Sequence, residues 1–312
     1  MFFIGGLSVF LFGLNYMRDA LIKISGQKLK HFISIAVGSK FKALLTGIVI
    51  TTLIQSSSGV SAIVIALISA NLITMTQGVM VMIGANIGTT TTAFLFTLQI
   101  ENYSFIIIFI GYIFSCFKKP LINNIGSSIT GFGLLFLGIY IMNFFYSHLS
   151  SSPSIINYFI YFSNNRFTSF LTGTLVSALI QSSSGTINLI QNLFFINIID
   201  LKTAVSFMLG ANLGTTLASL LFSVSSTRVA KNAVYINILF NLFGGIIFII
   251  ILIPFCNFLL FFQNHSSFII NNKILIAFSH LFYNVVSSII FYFIYDLFFL
   301  KSKETFDTVI SI

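Results

Sequence analysis

Apolar residues run through this chain in long blocks, at about 2–22, 43–70, 76–99, 103–117, 129–146, 167–196, 203–224, 232–262 and 274–300, with short polar stretches between them. Blocks of about 20 residues predict membrane-spanning helices, because at 1.5 Å per residue they cross a hydrocarbon core of about 30 Å. Two of the blocks, 43–70 and 167–196, are interrupted by the same five residues: Gln55-Ser56-Ser57-Ser58-Gly59 and Gln181-Ser182-Ser183-Ser184-Gly185. Backbone groups freed by such a break find no partner in lipid, so the break belongs in protein or against a cavity. Each broken block therefore predicts either one kinked span or a re-entrant hairpin of two half-length limbs, with the polar break at its tip near the midplane.

The duplication extends beyond the breaks. Lys40 to Gly59 reads KFKALLTGIVITTLIQSSSG, and Arg166 to Gly185 reads RFTSFLTGTLVSALIQSSSG. Gly84-Ala85-Asn86-Ile87-Gly88-Thr89-Thr90 recurs as Gly210-Ala211-Asn212-Leu213-Gly214-Thr215-Thr216, at the same offset of 126 residues. Phe10 to Met17 (FLFGLNYM) is echoed by Leu135 to Met142 (LFLGIYIM) at offset 125. The chain thus divides into two repeats, 1–125 and 126–312. With hairpins at 43–70 and 167–196 the first repeat has three full spans, so the second enters upside down. The expected fold is an all-α integral membrane protein of two inverted repeats and about seven full spans. Ser147 to Asn165 is expected as a loop outside the membrane and Lys301 to Ile312 as a cytoplasmic tail.

Composition agrees: 57% of the 312 residues are hydrophobic, only 7% are charged, and the mean hydropathy is +1.03. Soluble domains carry about 25% charged residues. The net charge of +9 sits between apolar blocks, which speaks for orientation in a bilayer and against a nucleic-acid partner. With seven spans and the N-terminus outside, twelve Lys and Arg residues, Arg18 among them, face the cytoplasm and only Arg166, Lys202 and Lys273 face out; with nine spans the split is eleven to four. Cys116 and Cys256 lie in apolar stretches without metal-ligand spacing, and no cofactor is expected. The block Phe2 to Met17 lacks a basic leader and a small-residue cleavage site, so it is expected to be retained.

The candidate chemistry lies in the repeated motifs. A helix that starts at about Ser57 aims its unpaired amides and its positive dipole end into the break, which favours an anion. Ser56, Ser57 and Ser58 add hydroxyl donors, and Ser182, Ser183 and Ser184 offer the same from the other side. Two converging helix starts suit a compact oxyanion such as phosphate, while the competing reading has the serines satisfying one another across a helix interface. In the second motif Asn86, Thr89, Thr90, Asn212, Thr215 and Thr216 bring hard oxygens beside glycines. With carbonyls from an unwound turn these could coordinate Na⁺, although Gly-xxx-Gly is also the spacing of close helix packing. No carboxylate, Lys or Arg stands beside either motif in the sequence, so bound Na⁺ is expected to offset the charge of a buried anion. Lys40, Lys42 and Arg166 flank the hairpin mouths and could steer anions or simply anchor the topology. His280, Asn241 and Asn284 are intramembrane polar residues for which hydrogen-bonded packing is the expected role.

Taken together, QSSS twice, each followed by GAN-x-GTT, resembles the sodium–phosphate cotransporter family of animal type II carriers and bacterial relatives. The resemblance covers nearly the whole chain, including FLFG near the start and His280-Leu281-Phe282-Tyr283-Asn284 near the end. It implies Na⁺-coupled phosphate symport by alternating access, in a plasma membrane (in a bacterium the inner membrane), with no enzyme activity. It further implies Gln55, Ser56, Ser57, Ser58, Gln181, Ser182, Ser183 and Ser184 as phosphate residues, with the six Asn and Thr residues of the second motif as their sodium-site neighbours. Gly59 and Gly185 stand where that family often has another small residue, and Asn237 stands where it often has His. Some bacterial relatives carry a C-terminal regulatory domain; none is expected within these 312 residues. A carrier of another oxyanion, an ion channel and an intramembrane serine hydrolase are the rival readings.

Overall fold

The computed structural model describes residues 2–98, 100–149, 165–266 and 271–295. Every regular element among them is helical: α1 (Phe2–Ala36), α2 (Lys40–Ile54), α3 (Ser57–Ser69), α4 (Met75–Leu95), α5 (Ser104–Ser115), α6 (Pro120–Leu149), α7 (Arg166–Ile180), α8 (Ser183–Phe195), α9 (Leu201–Ser223), α10 (Arg228–Ile250), α11 (Leu252–His265) and α12 (Asn272–Tyr295), with one 3₁₀ turn at Glu101–Tyr103. Five of these (α4, α6, α9, α10 and α12) are long and apolar enough to cross a membrane. The predicted Ser147–Asn165 loop differs in part, since α6 runs to Leu149; residues 150–164 and the predicted tail from Lys301 lie outside the described residues.

Both broken blocks fold as two short helices. α2 has 15 residues and α3 has 13, so each is about 20 Å long, well short of a hydrocarbon core of about 30 Å. α2 lies parallel to α4: a Cβ on Gly84 would stand 2.0 Å from the Leu44 carbonyl oxygen, and one on Gly88 would stand 2.6 Å from that of Ile48. α3 runs back along the start of α4, where Gly78 faces Ile68 and Val64. So α2 and α3 are opposed limbs of a hairpin, and α4 covers both. The second repeat seats α7 on α9 in the same way. A Cβ on Gly210 would stand 1.9 Å from the Phe170 carbonyl oxygen, and one on Gly214 would stand 2.2 Å from that of Thr174, each 126 positions after its counterpart. In lipid little hydrophobic force draws helices together, so backbone-to-backbone packing over small residues carries the association. The outer stripe of each first limb is apolar and exposed: Phe41, Leu45, Val49 and Leu53 on α2, Phe167, Leu171, Leu175 and Leu179 on α7.

α1 and α6 pack on each other as antiparallel neighbours. Gly13 packs on Leu135, Gly131 on Met17, Gly138 on Phe10 and Gly6 on Met142. Adding 125 to Phe10 and Gly13 gives Leu135 and Gly138, so the repeat exchanges the contact Phe10–Gly138 with the contact Leu135–Gly13. The block 232–262, read from sequence as one span, is two helices, α10 and α11, meeting at Ile251. Pro254 explains the break, because it has no N–H to bond the Ile250 carbonyl. α5 is only 12 residues long, about 18 Å.

Candidate functional site

Each hairpin tip is built the same way. Gln55 turns the chain through left-handed backbone (φ 57°, ψ 31°), as Gln181 does (φ 55°, ψ 28°). Ser56 then caps α3, its Oγ accepting from the Gly59 N–H at 3.1 Å, and Ser182 caps α8 by accepting from Gly185 at 3.1 Å. The amides of Ser57, Ser58, Ser183 and Ser184 fall at the start of their helices, where no preceding turn offers a carbonyl. At each tip the carbonyl end of one short helix stands beside the amide end of the next, so cation-seeking and anion-seeking ends are neighbours.

The two tips converge on one cavity of about 350 Å³. Its wall includes Gln55, Ser56, Ser57, Ser58 and Thr89 from the first repeat, and Gln181, Ser182, Ser183, Ser184 and Thr215 from the second. At about 30 Å³ per water it holds roughly ten waters' volume, room for a small oxyanion with ions or solvent beside it. All eight residues of the QSSS motifs thus share one space.

The second motif divides. Thr89 and Thr215 reach the cavity, but Asn86, Thr90, Asn212 and Thr216 do not line it. The unwound turn expected there is absent: α4 and α9 are continuous through 84–90 and 210–216. Their glycines are occupied in packing against α2 and α7, and the threonines bond back to their own helix, Thr90 Oγ1 to Ile87 O at 2.7 Å and Thr216 Oγ1 to Asn212 O at 2.8 Å. Asn86 donates to Asn237 at 3.4 Å, and Asn212 Oδ1 lies 2.9 Å from His280 Nε2 in a fully buried contact. These asparagines tie the scaffold behind the cavity to α10 and α12.

The repeats are not equal at the cavity. Gln55 Oε1 accepts from Thr92 Oγ1 at 2.6 Å, whereas Gln181 is exposed, and Leu217 and Ala218 stand where the first repeat has Thr91 and Thr92. Ser177 Oγ and Thr215 Oγ1 are 2.7 Å apart, while at the matching place Thr51 Oγ1 is buried without a partner. Phe96 is 3% exposed and packs edge-on against Phe10, with ring centroids 5.5 Å apart. Its counterpart Phe222 is 46% exposed and borders the cavity. The aromatic of the first repeat is thus held in packing, whereas that of the second borders the cavity.

Sequence reasoning missed four wall residues on α1, namely Leu11, Leu14, Asn15 and Arg18. The expectation that no Lys or Arg stands beside the motifs is corrected by Arg18, which counting by sidedness had assigned to the cytoplasmic face. The available signal was spacing: positions 11, 14, 15 and 18 fall on one face of a helix.

A polar cavity shared by two half-length hairpins, inside a bundle of membrane-length helices, is the layout of a membrane transport protein. The model of the Na+/Pi-cotransporter family matches residues 9–143 and again residues 151–286. The chain belongs to that family, a family of transporters and not of enzymes, and it is a multi-pass membrane protein. Among similar proteins, YqeW of Bacillus subtilis (strain 168), named an uncharacterized protein, is 27% identical over 93% of this chain and 92% of its own. The Escherichia coli (strain K12) protein named "Putative inorganic phosphate export protein YjbB" is 24% identical over 92% of this chain, which spans about half (52%) of that relative's length. Human sodium-dependent phosphate transport protein 2B is 31% identical over 91 residues, 28% of this chain and 13% of its own. No solved structure matches the chain.

Proposed function

We propose that this protein moves inorganic phosphate across the plasma membrane, coupled to Na⁺, by alternating access between two inverted repeats. The observation that carries the reading is the meeting of both QSSS tips in one polar cavity. Ser57, Ser58, Ser183 and Ser184 would hold the anion through helix-start amides and hydroxyls, with Ser56 and Ser182 fixing the turns and Gln55 and Gln181 beside them. Na⁺ would bind towards the carbonyl ends of α2 and α7, close to Thr89 and Thr215. The antiparallel, repeat-exchanged packing of α1 and α6 supports the inversion. The short hairpin limbs support re-entry from opposite faces, with about seven crossings overall. In this arrangement the N-terminus is outside and the C-terminus cytoplasmic. Direction follows the gradients: import when Na⁺ drives inward, export when phosphate is in excess.

A hydrolase would need a base near the serines. His280, the histidine inside a described membrane-length helix, does not border the cavity and is engaged by Asn212. The test is uptake of ³²P-phosphate into proteoliposomes with and without a Na⁺ gradient, with sulfate and arsenate as competitors. Saturable, Na⁺-dependent flux that disappears in both Ser57→Ala and Ser183→Ala is expected. Flux indifferent to Na⁺, or normal in both variants, would refute the proposal.

A further inference from the structure

The cavity holds a full positive charge that neither the duplicated motifs nor the family match assigns. Among the described residues that line it, Arg18 is the sole Lys or Arg. It shares a face of α1 with Leu11, Leu14 and Asn15, all on the same wall. Its Cδ lies 3.8 Å from where a Cβ on Gly59 would stand, so the side chain runs past the first turn of α3. Its nitrogens lie 3.4 and 3.5 Å from Asp19 Oδ1, long contacts to a carboxylate that is 60% exposed. Such a pair is worth little, and the five-donor guanidinium remains available to a stronger acceptor. The counterpart of Arg18 at offset 125 is Asn143, which donates to Glu101 at 3.3 Å. The charge is thus an addition of the first repeat alone, outside the symmetric scaffold.

We propose that Arg18 is an anion-binding residue of the cavity. It pairs with the oxyanion held by the two serine tips and supplies positive charge that otherwise falls to Na⁺. This inference rests on the reading of the cavity as a phosphate site. A guanidinium meets a phosphate oxygen pair with two parallel N–H bonds, a match that serine hydroxyls alone do not give. Removing the charge therefore weakens phosphate binding and makes what remains lean more heavily on Na⁺.

The test is equilibrium binding of ³³P-phosphate to the purified full chain across a series of Na⁺ concentrations, with thermal unfolding as a check on folding. Arg18→Gln is expected to weaken phosphate binding by about 10- to 100-fold, the size of a lost charge-assisted hydrogen bond, and to steepen its Na⁺ dependence. Arg18→Lys keeps most of the affinity. Lys23→Gln removes the same charge one turn and a half further along α1, away from the cavity wall, and changes affinity by less than about two-fold. Should Arg18→Gln fold poorly, Arg18→Cys in a Cys116→Ser background is treated with a cationic or an anionic methanethiosulfonate. The cationic adduct restores binding and the anionic one does not. Unchanged affinity in Arg18→Gln, equal loss in Lys23→Gln, or equal recovery with either reagent would overturn the role of Arg18 while leaving the phosphate site standing. Absence of phosphate binding to the unaltered chain at every Na⁺ concentration would remove both.

Discussion

Replacing Gly210 with Ala puts one methyl group where the structure leaves no room. The new Cβ would stand 1.9 Å from the Phe170 carbonyl oxygen and 2.9 Å from the Thr174 nitrogen, against an ordinary contact of at least 3.4 Å. α7 and α9 would have to part by about 1.5 Å, the difference between 3.4 and 1.9 Å. Overpacking costs about 1–3 kcal/mol, and more where the obstacle is backbone; the better helix propensity of Ala returns up to about 1 kcal/mol. A net loss of about 2 kcal/mol follows, a fall of roughly 4–8 °C in Tm. The same displacement draws Thr215 from Ser177, now 2.7 Å apart, and opens the cavity wall. Gly185→Ala is the matched control, since its Cβ would meet only side-chain atoms of Phe10, Ile180 and Ser182, at the ordinary contact distances of 3.4–3.5 Å. The assay is loss of the monodisperse chromatographic peak of the detergent-solubilised protein on heating. A Gly210→Ala chain that melts with the unaltered protein would refute the claim that backbone contact between α7 and α9 holds the second hairpin.

Ser56→Ala and Ser182→Ala each remove an N-cap and should cost about 1 kcal/mol in thermal unfolding; equal stability would discount the caps. The two glutamines should behave differently: Gln55→Ala loses the Thr92 bond and lowers Tm, whereas Gln181→Ala leaves Tm within about 1 °C. Equal destabilisation would deny the asymmetry. Asn212→Leu strands a buried His280 nitrogen and should cost about 1–3 kcal/mol, and pairing it with His280→Phe should recover part of that loss; strictly additive losses would show that the two side chains do not interact.

Much of this site was legible because a duplicated sequence reports a shared environment. Both QSSS breaks follow from lines that recur 126 residues apart, while the matching αL turns after Ile54 and Ile180 and the parallel seats on α4 and α9 came from the structure. The asymmetry was also written there, in Thr91-Thr92 against Leu217-Ala218, although its consequence for the glutamines needed the structure. The second motif misled because Gly-xxx-Gly serves both an unwound ligand turn and a tight crossing; only the partner carbonyls, which a Cβ on these glycines would meet at 1.9–2.6 Å, decide for the crossing. Arg18 was hidden because sidedness counting treats every basic residue as an anchor, whereas its place is set by the face of α1 that it shares with Asn15. The division of 232–262 could have been read from Pro254.

The account stands or falls on a single anion being gripped from both hairpins together. Its most direct measurement is the stoichiometry of phosphate bound to the purified chain by isothermal titration in saturating Na⁺, repeated for Ser57→Ala, Ser183→Ala and the double variant. One phosphate per chain is expected, with severe loss in each single variant and little further loss in the double. Two phosphates per chain, or one that survives the loss of either serine, would contradict it.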